Sequence, residues 1–584
     1  MASLVNILDN YTPTQFGENC HVEYGWSNKI QEKILQFNFQ LTRTDQHGIR
    51  KLEFVLSELL MNLKHKIEFG TFIEKEVAKG HLSILYRMIA QTRDIIDGKG
   101  EYALSYMMIY TWHKFYPVLA KFALRSFVTL DNEFNNDDTH PYGSWKDLKY
   151  FCEYCRNQGD YVDSSLVNYS ISLINDRIKK DYNNILYDVN NISLASKWVP
   201  REKSKSGWLY KSLATDYFSE FLATAKTDEQ ERNAILKCKT EYRKVLSTLN
   251  RYIDTTQIKQ CEQTWRDIDF HNVTSITLAK QKKAFLNIKN NGEVRYPDNF
   301  DRVQCADNFN THIQKAVKGE VEMKGKRIGM ADFTKQALDL LKYQNNQNER
   351  DLLNSQWRDN SSQNAPLGKM IAMVDTSASM SGNPMHAAIA LGIRIAEKSV
   401  LGKRIMTFSA KPSWVNLDPY PDFISQVEVV ANAEWGMNTN FYAALDLILD
   451  AIIQNKMAPE DVQDMVLVVL SDMQMDQGDE CDKLVLYDKM KVKYVNEGIR
   501  VNGVPYKPPH ILFWNLRSTS GFPTLSNQPN ASMMSGFSPT LMNLFCDEGL
   551  AALQSCCPWS RLIKSLENER YKIMADKFNE EIVV

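Results

Sequence analysis

Four short all-apolar runs, at 370–374, 405–408, 465–470 and 511–514, constrain this chain more than any other feature, because at least one helical stretch separates each from the next. A strand buried on both faces reads as an unbroken apolar run, whereas a half-exposed strand alternates. Such runs interleaved with helices imply right-handed βαβ units and an α/β, doubly wound sheet with helices on both faces. The stretch after Thr439 supplies a clear helix of this kind, with Phe441, Ala444, Leu445, Ile448, Leu449 and Ile452 on one face.

The first 350 or so residues have a different period. Between 51 and 64 the apolar positions are Leu52, Val55, Leu56, Leu59, Leu60 and Leu63, the stripe of an amphipathic helix. Ile235, Cys238, Tyr242, Val245, Leu249 and Ile253 repeat the pattern over 229–253. Less regular helices are predicted at 74–94, 101–128, 144–157, 163–180 and 329–343, with no period-2 strand among them. Helices in this number, without sustained heptads, suggest an α-helical domain over 1–344, either a HEAT-like solenoid or an irregular bundle. Residues 345–366, rich in Asn, Gln and Ser, read as a polar linker, and 367–584 as the α/β domain. A chain of 584 residues exceeds what one hydrophobic core serves, so two domains are expected.

At 43% hydrophobic and 24% charged, the composition is that of a globular protein and excludes a disordered or fibrous one. The net charge of −2 divides into roughly +4 up to residue 366 and roughly −6 beyond it, which favours a nucleic-acid surface only weakly and only in the first part. The N-terminus lacks a basic segment followed by an apolar run, and no stretch reaches the ~18 apolar residues of a membrane span. A soluble, cytoplasmic protein is expected. Ten scattered cysteines point to reduced thiols, and Cys152 and Cys155, a lone C-x-x-C in a helical pattern, read as buried thiols before a zinc site.

In open α/β sheets, ligands bind beyond the carboxyl ends of the strands. The first apolar run ends in Asp375-Thr376-Ser377-Ala378-Ser379, the third in Ser471-Asp472, and Thr439 stands in a loop just before a helix. Asp375, Ser377, Ser379, Thr439 and Asp472 thus offer two carboxylates and three hydroxyls, hard oxygen ligands that suit Mg²⁺ first, with Ca²⁺ or Mn²⁺ as alternatives, and disfavour zinc or copper. Each residue alone is more often a helix cap than a ligand. Together, in this order, they resemble the metal-ion-dependent adhesion site of von Willebrand A domains. That resemblance implies a cation held by these five side chains and completed by a carboxylate from a partner protein. Many relatives carry Gly beside the central Thr; here Gly436 lies three positions earlier and Asn438 is adjacent.

Upstream, four segments resemble a family of unknown function, found in plants, fungi and giant viruses, that couples a helical region to a von Willebrand A domain. They are 90–94 with 98–101 (AQTRD, GKGE), 144–148 (SWKDL), 195–202 (ASKWVPRE) and 242–247 (YRKVLS). The architecture is similar to the Ro autoantigen (TROVE) family, in which HEAT-like helices bind RNA; a viral member would have the virion as an alternative address. The stretch 177–211 carries Lys179, Lys180, Lys197, Arg201, Lys203, Lys205 and Lys211 among Tyr182, Tyr187, Trp198, Trp208 and Tyr210. Cations neutralise phosphates and aromatic faces stack unpaired bases, so this mixture suits single-stranded or structured RNA, although Lys and Arg are also the ordinary occupants of solvated helix faces. A second basic stretch holds Lys315, Lys318, Lys324, Lys326 and Arg327.

Three functions compete. The first is a non-catalytic binding or scaffold protein that uses the cation site to engage an acidic group of a protein partner. The second, compatible with it, is RNA binding by the helical part. The third is a Mg²⁺-dependent hydrolase built on Asp375 and Asp472. The absence of G-x-x-x-x-G-K-[ST], H-E-x-x-H and G-x-S-x-G motifs, and of a general base beside the hydroxyl-rich shell, ranks the enzyme last.

Overall fold

A computed structural model describes residues 12–130, 140–159, 165–187, 189, 191–342, 347–409, 411–433, 440–463, 465–474, 485–546 and 555–582. Near the start, β1 (Thr14–Phe16) and β2 (Val22–Tyr24) form an antiparallel hairpin. The remaining strands build one sheet from β3 (Met370–Asp375), β4 (Arg404–Phe408), β5 (Ser413–Asn416), β6 (Val466–Ser471), β7 (His510–Asn515) and β8 (Ala531–Ser535). Their order is β5-β4-β3-β6-β7-β8, parallel throughout except for β5 at the edge, which pairs antiparallel with β4.

All four expected strands are present to within a residue or two, and every residue of β3, β6 and β7 is buried. Alternation divides these apolar runs between two cores. Ile371, Met373, Leu467, Val469 and Phe513 point to one side, where they join the core that continues into the N-terminal helices. Met370, Ala372, Val374, Val468 and Leu470 point to the other, against helix Asn383–Lys398. That helix lies tight on the sheet: a Cβ at Gly392 would meet Val374 Cγ2 at 2.5 Å, so glycine sets the helix–sheet spacing.

Helix Met330–Lys342 packs on Asn383–Lys398 and on Phe423–Ala431. Residues 347–361 are not a linker but a helix, Gln347–Ser361. Its Trp357 ring stacks on Phe423 at 3.9 Å with the Arg394 guanidinium 4.0 Å from its centroid, and Leu352 and Leu353 are buried. The polar composition that suggested a linker is used internally. Asn360 Nδ2 donates to the carbonyls of Gly325 and Lys326, both at 3.3 Å, and Gln356 Nε2 donates to Lys324 O at 3.1 Å.

The N-terminal region is mostly helical, as expected. Helix 51–64 extends to Gln46–Phe69, capped by Asp45, whose side chain accepts from Gly48 N. Helix 74–94 is Phe72–Arg93, opened by a Thr71/Glu74 capping box. The expected 101–128 helix divides into Tyr102–His113 and Pro117–Arg125, because proline lacks the N–H that would continue the ladder and is accommodated in a first turn. No period-2 strand is expected here; the β1–β2 hairpin adds two strands of three residues each, too short to show a period. The last helix, Lys572–Ile582, returns to pack on Phe72–Arg93 and Pro117–Arg125. Among the described residues, no helix is long and apolar enough to cross a membrane.

Candidate cation site and basic helical surface

Chain order reverses between β3 and β6: β4 lies on one side of β3, and β7 on the far side of β6. Their carboxyl ends are thus a topological switch point, the position where such sheets bind ligands. Asp375 ends β3, and Asp472 directly follows β6. Both are fully buried, and Ser377 nearly so.

The two carboxylates and two serines form one connected cluster. Asp375 accepts from Ser377 N at 2.9 Å and from Ser471 Oγ at 2.5 Å. The Ser377 and Ser379 hydroxyls are 3.1 Å apart, and Ser379 hydrogen-bonds to Asp472. Met473, at φ +64°, sits in the left-handed region and turns the chain so that Gln474 N donates to Asp472 Oδ1 at 3.1 Å. Burial and the neighbouring Asp472 charge push the Asp375 carboxyl up to about 7. Burial also raises Asp472, although Arg517 opposes it. Thr439 lies outside the described residues. Asn440, which follows it, caps helix Phe441–Gln454 through Ala443 N and donates from its own backbone N–H to Ser409 O at 2.8 Å, at the end of β4.

Two residues at this site were not anticipated. Arg517 Nε donates to Asp472 Oδ2 at 2.9 Å, and Arg517 Nη2 pairs with Glu18 from the turn of the β1–β2 hairpin. Arg517 stands two residues beyond β7, so the rule that selected Asp472 also reaches it. Nothing in the local sequence marks Glu18. Among the described residues no group of three or more His, Cys, Asp or Glu is placed to hold a metal, and the cluster here has two carboxylates. Cys152 and Cys155 are buried in helix Lys146–Asn157, with burial pushing the Cys152 thiol up to about 12.

On the helical side, Lys179, Lys180, Arg201, Lys203, Lys205 and Lys211 are exposed, while Lys197 is half-buried. Their aromatic companions are largely committed elsewhere. Trp208 Nε1 donates to Glu153 at 2.9 Å, Tyr210 Oη donates to Lys239 O at 2.8 Å, and Tyr182 and Trp198 are partly buried; Tyr187 alone of the five is exposed, at 79%. In the second basic stretch, Lys326 pairs with Glu322 and Asp359, and Arg327 Nη1 donates to Ile95 O at 2.7 Å.

The four segments singled out in the helical region prove to be junctions. Arg93 forms a buried two-point pair with Asp147, at 2.8 and 2.7 Å. Asp94 accepts two bonds of 2.8 Å from Arg570. Lys99 Nζ donates to Asn38 O at 2.8 Å and to Ser535 Oγ in β8 at 2.7 Å, Glu101 pairs with Arg43, and Arg243 with Glu202.

Fold and site together define a protein with a helical N-terminal region joined to a mixed, mostly parallel sheet that gathers oxygen side chains at its switch point. Residues 369–580 match a family model described as a domain of unknown function (DUF7788), and residues 171–363 match another, DUF2828, described in the same words. An uncharacterized protein, L728, of Acanthamoeba polyphaga mimivirus is 28% identical over 475 residues, covering 79% of this chain and 76% of that protein. The crystal structure of the Deinococcus radiodurans RO (RSR) protein aligns with 88% of this chain and 99% of its own at a TM-score of 0.36 and 11% identity. A likeness at that level carries no functional argument.

Proposed function

We propose that this protein is a non-catalytic, cation-dependent binding protein whose sheet is a von Willebrand A-type domain. In this reading Asp375, Ser377, Ser379 and Asp472 hold a divalent cation, Mg²⁺ first, with Ca²⁺ and Mn²⁺ as alternatives, and the cation engages a carboxylate of a partner protein. The supporting observation is the convergence of four oxygen side chains, two of them buried carboxylates from neighbouring strands, at the switch point. The donor set fits a hard ion: all oxygen, with two hydroxyls between the carboxylates and room in the ligand count for water or a partner. Arg517 is placed on Asp472, while Asp375 is raised by burial and by the Asp472 charge, a crowding of carboxylates that a divalent ion would offset.

Titration calorimetry with Mn²⁺ and Mg²⁺ tests this. One site per chain is expected, lost in Asp375→Ala; no uptake of Mg²⁺, Mn²⁺ or Ca²⁺ would rule the reading out. Nucleotide or phosphodiester turnover lost in the same variant would replace it with the hydrolase.

A second reading, RNA binding by the helical region, is favoured by the exposure of Lys179, Lys180, Arg201, Lys203, Lys205 and Lys211. With most of the neighbouring aromatic rings packed, contact would run through phosphate, so affinity should fall steeply with salt and show little base preference. Lys203→Glu/Lys205→Glu/Lys211→Glu is expected to reduce the slope of log K against log salt by about 2–3. An unchanged slope in RNA titrations would remove these lysines from the interface.

A further inference from the structure

A cleft of about 1030 Å³ lies beside the cation site, between helix Gln46–Phe69 and the loops at the carboxyl edge of the sheet. Glu18 and Arg517 line it, and so do Asn383 and Pro384, which begin the helix after the Asp375–Ser379 loop. We propose that this cleft admits an acidic segment of a protein partner, and that Glu18 is a built-in carboxylate which the partner's carboxylate displaces. The proposal rests on the cation-site reading above and adds the route the partner takes and a residue of this chain that competes with it.

Charge supports an acidic occupant. Of the five cations that line the cleft, Lys33 pairs with Glu58, Arg43 with Glu101, and Arg517 with Asp472 and Glu18, so the charge open to an incoming segment comes from Arg50 and Lys51, and from Arg517 once Glu18 withdraws. Arg50 and Lys51 are exposed, as is the Phe54 ring, which is 71% accessible and could take an apolar side chain of the incoming segment.

Glu18 already stands at the inner end of the cleft, on the guanidinium that holds Asp472. Its side chain pairs with Arg517, which also holds Asp472 at 2.9 Å, so one guanidinium joins an N-terminal carboxylate to a candidate cation ligand. The hairpin turn is aligned on the loop after β6: Glu18 N donates to Gln474 Oε1 at 2.6 Å, and Asn19 Nδ2 donates to Gln474 O at 2.9 Å. Its base is fixed independently, by two backbone bonds of 3.0 Å between Tyr24 and Phe522. The Glu18 side chain can therefore leave while the hairpin stays in place. It is 55% exposed, and an ion pair that open to solvent contributes little, so little opposes its exchange for a carboxylate that coordinates the cation.

Fluorescence anisotropy on the full chain tests the proposal, with a fluorescein-labelled six-residue peptide of glutamate and phenylalanine as one probe and a labelled oligouridylate as the other. With Mg²⁺, the peptide is expected to bind wild type, to bind Glu18→Gln about threefold to fivefold more tightly, and to lose about tenfold in Arg50→Glu/Lys51→Glu. EDTA should abolish its binding. Peptide binding indifferent to both variants, or oligouridylate bound in the cleft in place of the peptide, would overturn the proposal. Mn²⁺ calorimetry on the same variants separates the two levels: Mn²⁺ uptake without these peptide effects leaves the cation site standing and removes the cleft, whereas no uptake removes both.

Discussion

Replacing Arg93 with Met is expected to destabilise the protein by about 3–5 kcal/mol, because it leaves a carboxylate buried without its counter-ion. Asp147 is fully buried. Besides Arg93, it accepts from Tyr106 Oη at 2.6 Å and from Ser144 N at 2.7 Å. Burial alone would raise its carboxyl, but Arg93 and these hydrogen bonds outweigh that and hold it below the ordinary value near 3.8. A carboxylate depressed in the folded state contributes stability that is present above the unfolded value and lost as pH falls through the folded one. The contribution is therefore whole at neutral pH, begins to fade near pH 4, about the unfolded value, and is lost as pH falls further through the folded one. Urea titration at pH 7, followed by tryptophan fluorescence, should show the loss, and the gap between variant and wild type should narrow in acid. Arg93→Met/Asp147→Leu should recover much of the stability, since a hydrophobic replacement of both partners is often neutral or better. A single-variant cost below 1 kcal/mol would show that water reaches Asp147.

The same pair illustrates what the sequence could and could not reveal. Segments 90–94 and 144–148 stood out in the chain, but their pairing is tertiary, and no local pattern joins residues 54 apart. The four inner strands were legible because burial on both faces enforces an apolar run. β8, which reads ASMMS, is equally buried, yet its small and polar residues give no strand signal. β5 is a four-residue edge strand of alternating exposure. Helix Gln347–Ser361 was hidden because its polar residues, Asn360 and Gln356 above all, satisfy the backbone of a neighbouring turn, a use that composition does not distinguish from solvent exposure. At the site, Asp375, Ser377, Ser379 and Asp472 were readable since strand ends fix where their side chains gather. Glu18 was not, because it arrives from 499 residues away.

Mg²⁺ at a hundred times its dissociation constant is expected to stabilise wild type by about 2.7 kcal/mol, and to do nothing for Asp375→Asn. A ligand that binds only the folded state shifts unfolding by mass action, and residues 96–97 apart in the chain, such as Ser471 or Asp472 and Asp375, converge only on folding. In a chain of this size the shift corresponds to a few degrees at the melting midpoint. Asparagine keeps the shape of Asp375 and can still accept from Ser377 N, so Asp375→Asn should fold while lacking the charge a hard cation requires. Arg517→Met gives the opposite sign. It strips Asp472 of its guanidinium, leaving the two buried carboxylates without that counter-charge, and should enlarge the Mg²⁺ shift while lowering the melting temperature measured in EDTA. Differential scanning fluorimetry of the three proteins, with Mg²⁺ and with EDTA, decides the matter: equal shifts in wild type and Asp375→Asn would mean that the ion acts elsewhere on the surface, and that Arg517 is a structural tie between the hairpin and the sheet.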